Sequence, residues 1–333
     1  MIHPPNDAPT RPQSPAPSPE GRLVHTVGRD LTASHGRHRL FRYVYAPETE
    51  ARESPKPYLY PVRTLAGREV TIFRPHDHLW HHGIAMTWAQ LWGGPTYVRD
   101  QGYVQLPNNG RQEHRDWEAI LPQRLSERLA WVTAADETWI DERRTLSLGE
   151  VLPDEGCWAL DVAMDLTNTR PAPLVFGSPT TEGRPLAGYG GLFWRGPRSF
   201  TGGTILAAGG LVGPDVMGQA APWLAFVGRH DGDGAHSTLL FLDHPRNPRH
   251  PTRWFVRNTP YACASFAFAF DAELTLPPGE TLALRYRIVV ADGAWEADRA
   301  DAYARRWRDA SPSARAGAQT WSSRRTSLRE PSS

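Results

Sequence analysis

The segment RPHDHLWHHG, residues 74–83, sets four imidazoles (His76, His78, His81 and His82) and the carboxylate of Asp77 inside ten residues. That density supports two chemistries. Neutral imidazole is the commonest side-chain metal ligand, and an unperturbed pKa of about 6.5 makes it the usual general acid or base near neutral pH. On a strand, His76 and His78 would share a face with Cα atoms roughly 7 Å apart, close enough to converge on one metal or substrate. Bringing His81 onto that face requires a turn. A metal would draw on His76, His78 and His81 together with partners that fix their rings. No cofactor is predicted, with a divalent metal as the alternative.

Three further segments offer polar groups. DHPRNPRHPTRWFVR, residues 243–257, follows an apolar run and carries three prolines, which bar it from a central strand. It reads as a shaped loop presenting Asp243, His244, Asn247, Arg249 and Trp254, an inventory suited to a polyhydroxyl or carboxylate ligand. SPTTEGRPLAGYGGLFWRGPRSFTGG, residues 178–203, crowds glycines around Glu182, Arg184, Tyr189, Trp194 and Arg195, and glycine lets backbone approach a ligand closely. It holds neither a Walker pattern nor a GxGxxG nucleotide motif. The stretch at 91–110 is loop-like and supplies Tyr97.

Short alternating or apolar runs separated by Gly, Pro, Asn and Asp position these segments: LFRYVYA, YLYPVRT, EVTIFR, WALDVAMDLTNT, STLLFLD, ASFAFAF and TLALRYRIVV. WALDVAMDLTN alternates as a half-solvated antiparallel strand should. The spacing predicts an all-β chain of two packed antiparallel sheets, a large sandwich, with no repeat of propeller or solenoid length. One helix is expected over 295–310, where acidic residues come early and arginines late, matching the helix dipole. Residues 1–21 and 311–333, rich in Pro and Ser or in Ser and Arg, read as disordered tails around one domain at 22–310.

Composition narrows the function. With 37 Lys plus Arg against 36 Asp plus Glu, the net charge of +1 provides no field for nucleic acid or anionic lipid. Lys56 is the only lysine. Cys157 and Cys263 are far apart in sequence and lack metal-ligand spacing, so neither a disulfide framework nor a cysteine zinc site is supported. No secretory signal and no run of roughly 18 apolar residues is present, which predicts a soluble cytoplasmic protein without a membrane partner. Thirteen tryptophans, several beside polar clusters, suit sugar binding.

Taken together, TLAGREVTIFRPHDHLWHHGIAMTWAQLWGGPTYVRDQGYVQLPNNG, GSPTTEGRPLAGYGGLFWRGPRSFTGG and DHPRNPRHPTRWFVR resemble the signature blocks of the PmoA-like family, over roughly residues 23–292. That family is automatically named methane oxygenase, after a membrane copper enzyme that a chain without a spanning run does not resemble. The resemblance implies a super-sandwich of the galactose mutarotase type, and a site drawn from His76, Asp77, His78, His81, Arg184, Tyr189, Asp243, His244, Asn247, Arg249 and Trp254. The expected activity is acid–base chemistry on a sugar or sugar-derived molecule. His78 or His81 would be the acid or base and Asp243 or His244 its partner; Arg184 and Arg249 would anchor oxygens, and Trp254 would stack on the ring. Tyr97, Tyr189, His76 and Asn247 complete the expected binding set. The rivals are a metal-dependent oxygenase or hydrolase using the histidines, and a carbohydrate-binding protein without catalysis.

Overall fold

Alternation along the strands separates two faces, and in the computed structural model, which describes residues 21–310, the apolar faces of two sheets meet. Most of both expected tails lies outside those residues, but Gly21 already opens the first strand, Gly21–Thr26. An eight-stranded sheet runs in the order Gly21–Thr26, Asp30–His35, His38–Val44, Tyr58–Val62, Ile84–Thr87, Gly191–Arg195, Cys263–Phe266, Trp254–Arg257. A nine-stranded sheet runs Leu211–Val212, Thr204–Ala207, Trp223–Arg229, His236–Asp243, Thr281–Asp292, Cys157–Asn168, Thr138–Leu152, Arg124–Val132, Arg111–Leu121. The pairings within both sheets are antiparallel, as in the ladder of Cys157–Asn168 with Thr281–Asp292. The fold is thus the all-β antiparallel sandwich expected from patterning, closed by the short helix α1, Ala297–Ala310.

Aromatic contacts stitch the sheets together. Phe41 stacks on Trp158 at 5.8 Å, Trp194 meets Phe226 at 5.0 Å, and Phe241 meets Trp254 at 6.5 Å, each pair spanning the interior. The expected half-solvated strand behaves as predicted: Val162, Met164 and Leu166 are buried while Asp161, Asp165 and Thr167 are partly open. Outside the nine-stranded sheet, Trp223, Leu240, Leu242 and Val289 pack under Trp295, Ala300 and Tyr303, which seats α1.

EVTIFR does not form the strand its pattern suggests. Its amides and carbonyls are spent singly: Val70 N–H reaches the Val62 carbonyl (2.9 Å), Ile72 N–H the Arg195 carbonyl (3.1 Å), and the Val70 carbonyl accepts from the Trp194 indole (2.7 Å). Arg74 then adopts a positive φ of 47°, which turns the chain into the histidine loop.

Candidate active site

His76 and His78 lie in consecutive turns rather than on a strand. The His78 amide donates to the Pro75 carbonyl (2.9 Å) and the His81 amide to the His78 carbonyl (3.0 Å), inside a bridge that pairs Phe73 with His82. The three-residue step of the second turn brings His78 over His81, with ring centroids 4.6 Å apart and planes 15° from parallel. A glycine fixes the outer side of this loop. The Trp80 indole lies so close to Gly94, whose φ is +94°, that an added Cβ would sit 2.5 Å from its ring. Any other residue there would displace Trp80, whose ring meets His78 edge-on at 5.1 Å.

The platform beneath is the outer face of the eight-stranded sheet. Cross-strand register places Arg195, Cys263 and Arg257 in one row and Phe193, Ser265 and Phe255 in the next. His81 packs on Phe193 (4.7 Å), and both His78 and His81 meet the Tyr261 ring edge-on (4.9 and 6.0 Å). Tyr189 joins the same aromatic cluster against Phe255 (5.4 Å). Beyond it, the hairpin of Thr96–Val98 with Gly102–Val104 brings Tyr97 opposite Tyr103, and Arg184 lies over the Tyr103 ring (4.6 Å) while donating to its hydroxyl.

Arg195 organises the charges. It is 1% exposed, lies 3.6 Å from the Tyr261 ring centroid, and donates to both oxygens of Asp77 (3.2 and 2.9 Å) and to Nδ1 of His81 (3.1 Å). Arg198 adds a bond to Asp77 (3.0 Å) and one to Nδ1 of His76 (3.0 Å). Burial pushes the Asp77 carboxyl up, but the hydrogen bonds and charge of Arg195 more than offset this and hold it at about 2. Burial lowers the His78 pKa against the pull of Asp77. His81 is driven well below the ordinary histidine range, first by burial and then by the nearby His78 and Arg195. Both rings are therefore neutral at pH 7.

Their tautomers differ. A guanidinium only donates, so Nδ1 of His81 must accept and its proton sits on Nε2. Nδ1 of His78 is 3.2 Å from the Asp77 carboxylate, poorly aligned for a hydrogen bond and without another partner. That anion favours the proton on Nδ1 and leaves a lone pair on Nε2, 3.5 Å from the Tyr261 hydroxyl. Burial pushes the Tyr261 phenol and the Cys263 thiol each up to about 12, so both stay protonated.

The remaining expected site residues lie elsewhere. Asp243, 2% exposed, ends a strand of the other sheet and accepts from the Asn247 amide (2.7 Å), the Thr252 N–H (2.9 Å) and His250 (2.7 Å). Asn247 in turn exchanges bonds with Arg285 backbone (2.6 and 2.7 Å), so this cluster fastens the loop that crosses between sheets. His244 meets Trp307 of α1 edge-on (5.7 Å) on the far side of the sandwich. It borders a cleft of about 710 Å³ lined by ion pairs such as Arg287 with Asp161 (2.7 Å to each oxygen). Arg249 clamps the backbone carbonyls of Phe268, Ala272 and Glu273. Trp254, with no exposed surface, is core rather than platform; its indole donates to the Ala221 carbonyl (2.8 Å). His82 turns inward to Glu53 (3.2 Å) and the Leu79 carbonyl (3.1 Å).

Asp77, Arg195, Tyr261 and Arg257 take the places these residues vacate. Arg195 and Arg257 stand in segments already singled out, but nothing in sequence said that their strands are neighbours. Tyr261, after Pro260, had no signal beyond its closeness to the last segment. The metal alternative finds a poor donor set: arginines occupy Nδ1 of His76 and of His81, and no group of three His, Cys, Asp or Glu among the described residues is arranged to hold an ion.

Strand pairing and site together define a two-sheet antiparallel sandwich that carries a polar, aromatic constellation on the outer face of one sheet. The chain belongs to a family of unknown function, DUF6807, which matches over residues 30–305. No curated protein matches it. Among solved structures, a GalM/aldose epimerase homologue from C. elegans aligns with 83% of this chain and 99% of its own, at 10% identity and a TM-score of 0.30. At that score nothing about topology or chemistry transfers. No helix among the described residues is long and apolar enough to cross a membrane.

Proposed function

We propose that this protein is an enzyme acting on a sugar or sugar-derived small molecule by metal-free acid–base chemistry on the outer face of the eight-stranded sheet. The observation that carries the reading is the pair of stacked, neutral histidines in complementary tautomers, His78 beside the Asp77 carboxylate and His81 held by Arg195. Nε2 of His78 is the base that removes a proton from a substrate hydroxyl or acidic C–H, and the Asp77 carboxylate stabilises the imidazolium as it forms. Nε2–H of His81 is a donor for a developing oxygen charge. Tyr261 and Tyr189 offer ring faces with polar tips to a pyranose or furanose. The PmoA-like resemblance and a cytoplasmic location belong to the same proposal; both cysteines are buried free thiols, as a reducing compartment allows.

The test is proton NMR of a panel of aldoses, ketoses and their glycosides incubated in D₂O with wild type or His78→Asn. Accelerated anomer exchange, C–H deuteration, bond cleavage or elimination in at least one compound, lost in the variant, supports the reading and identifies the reaction. No change in any compound, or equal change with both proteins, overturns it.

A further inference from the structure

The charges around the two histidines do not balance. The Asp77 carboxylate beside His78 is already shared by Arg195 and Arg198. Arg257, half-buried, follows Phe255 on the same face of its strand, its guanidinium 5.1 Å from that ring. Among the described residues, no carboxylate lies within ion-pair distance of this guanidinium and none accepts a hydrogen bond from it. It lies near enough to His78 and Tyr261 for its charge to bear on both. Arg184, on the flank, likewise rests on aromatic rings, with no ion-pair partner among the described residues.

A substrate settling against His78 and Tyr261 strips water from Arg257. Removing hydration from a cation is costly unless an anion replaces it, and the hydroxyls of a neutral sugar do so poorly. A guanidinium fork matches the paired oxygens of a carboxylate or phosphate. We propose that the substrate of this site is an anionic sugar, carrying a carboxylate or phosphate that Arg257 binds beside His78. This inference rests on the sugar reading above and narrows it.

Isothermal titration calorimetry tests it with D-glucose and D-galactose, their uronates, and their 6-phosphates, on wild type, Arg257→Gln and Arg257→Lys. An anionic series should bind about tenfold more tightly than the neutral sugars, as expected for one added charged hydrogen bond. The preference should fall below about twofold in Arg257→Gln, be partly kept in Arg257→Lys, and shrink as salt rises. Whether uronates or phosphates lead tells the two anions apart. Neutral sugars binding as tightly as both anions, or a preference that survives Arg257→Gln, overturns the proposal and leaves the sugar reading standing. Binding of none of the six overturns both.

Discussion

Replacing Lys56 with methionine should remove one specific pH dependence from the stability of this protein. Lys56 has no exposed surface, and its ammonium donates only to the backbone carbonyls of Glu53 (3.0 Å) and Ser54 (2.8 Å). The nearby Glu53 carboxylate is engaged elsewhere, by Arg74 at 2.7 and 2.9 Å and by His82 at 3.2 Å. Burial outweighs the pull of Glu53 and lowers the lysine from 10.5 to about 7. Below pH 7 the folded and unfolded chains both hold the proton, so the full cost of a buried charge is present. Between about 7 and 10.5 only the unfolded chain holds it, and stability rises with pH; above 10.5 the cost is gone. At about 1.4 kcal/mol per unit, the swing is about 5 kcal/mol. Cys157 and Cys263, raised by burial to about 11 and about 12, act in the opposite sense above pH 9, but equally in both proteins. The quantity to follow is therefore the difference between wild type and Lys56→Met in urea unfolding at pH 7, 8, 9 and 10. Wild type should gain about 4 kcal/mol on the variant across that range. A difference flat to within about 1 kcal/mol would refute the argument, because it would mean that folding leaves the proton affinity of this amine unchanged.

Arg195→Met should lower turnover of the substrate found by NMR about a hundredfold, because Arg195 positions His81 and Asp77 without needing to touch the substrate. Carbon NMR of Asp77 should then show its carboxyl moving up from about 2, and nitrogen NMR should show His81 losing its fixed tautomer; unchanged spectra would contradict the assigned role. Trp254→Ala should cost about 3–5 kcal/mol in urea unfolding as a core cavity, with sugar affinity of the folded fraction unaltered. Asp243→Ala should cost about 3 kcal/mol, since it orphans the Thr252 amide and frees the crossing loop, yet leave the pH profile of activity in place. Activity that depends on neutral His78 should persist below pH 6.5, because burial lowers that group; a fall in kcat/KM already complete at pH 7 would count against His78 as the base.

Local sequence determined what local physics controls. Period-two alternation marked Cys157–Asn168 as a strand, and short apolar runs bounded by turn residues marked His236–Asp243 and Thr281–Asp292. The charge gradient marked α1, and residue type and density marked the histidine loop, but the partner expected for His78 or His81 was Asp243 or His244, whereas the fold stacks the two rings on each other. Alternation does not say which face will meet the other sheet, and at strand Trp254–Arg257 that choice decides which side chains face the proposed site. Trp254 and Val256 point inward, so Phe255 and Arg257 point at the site, and the expected sugar platform becomes core. Nor can spacing reveal that Arg195, Cys263 and Arg257 form one row, since strands distant in sequence become neighbours only through the crossover order of the sheet. The same crossing carries Asp243 and His244 away from the histidine loop. The sequence supplied reactive groups and their local turns; long-range register chose which met, because hydrogen-bond ladders between remote strands are settled only when both sheets bury their apolar faces together.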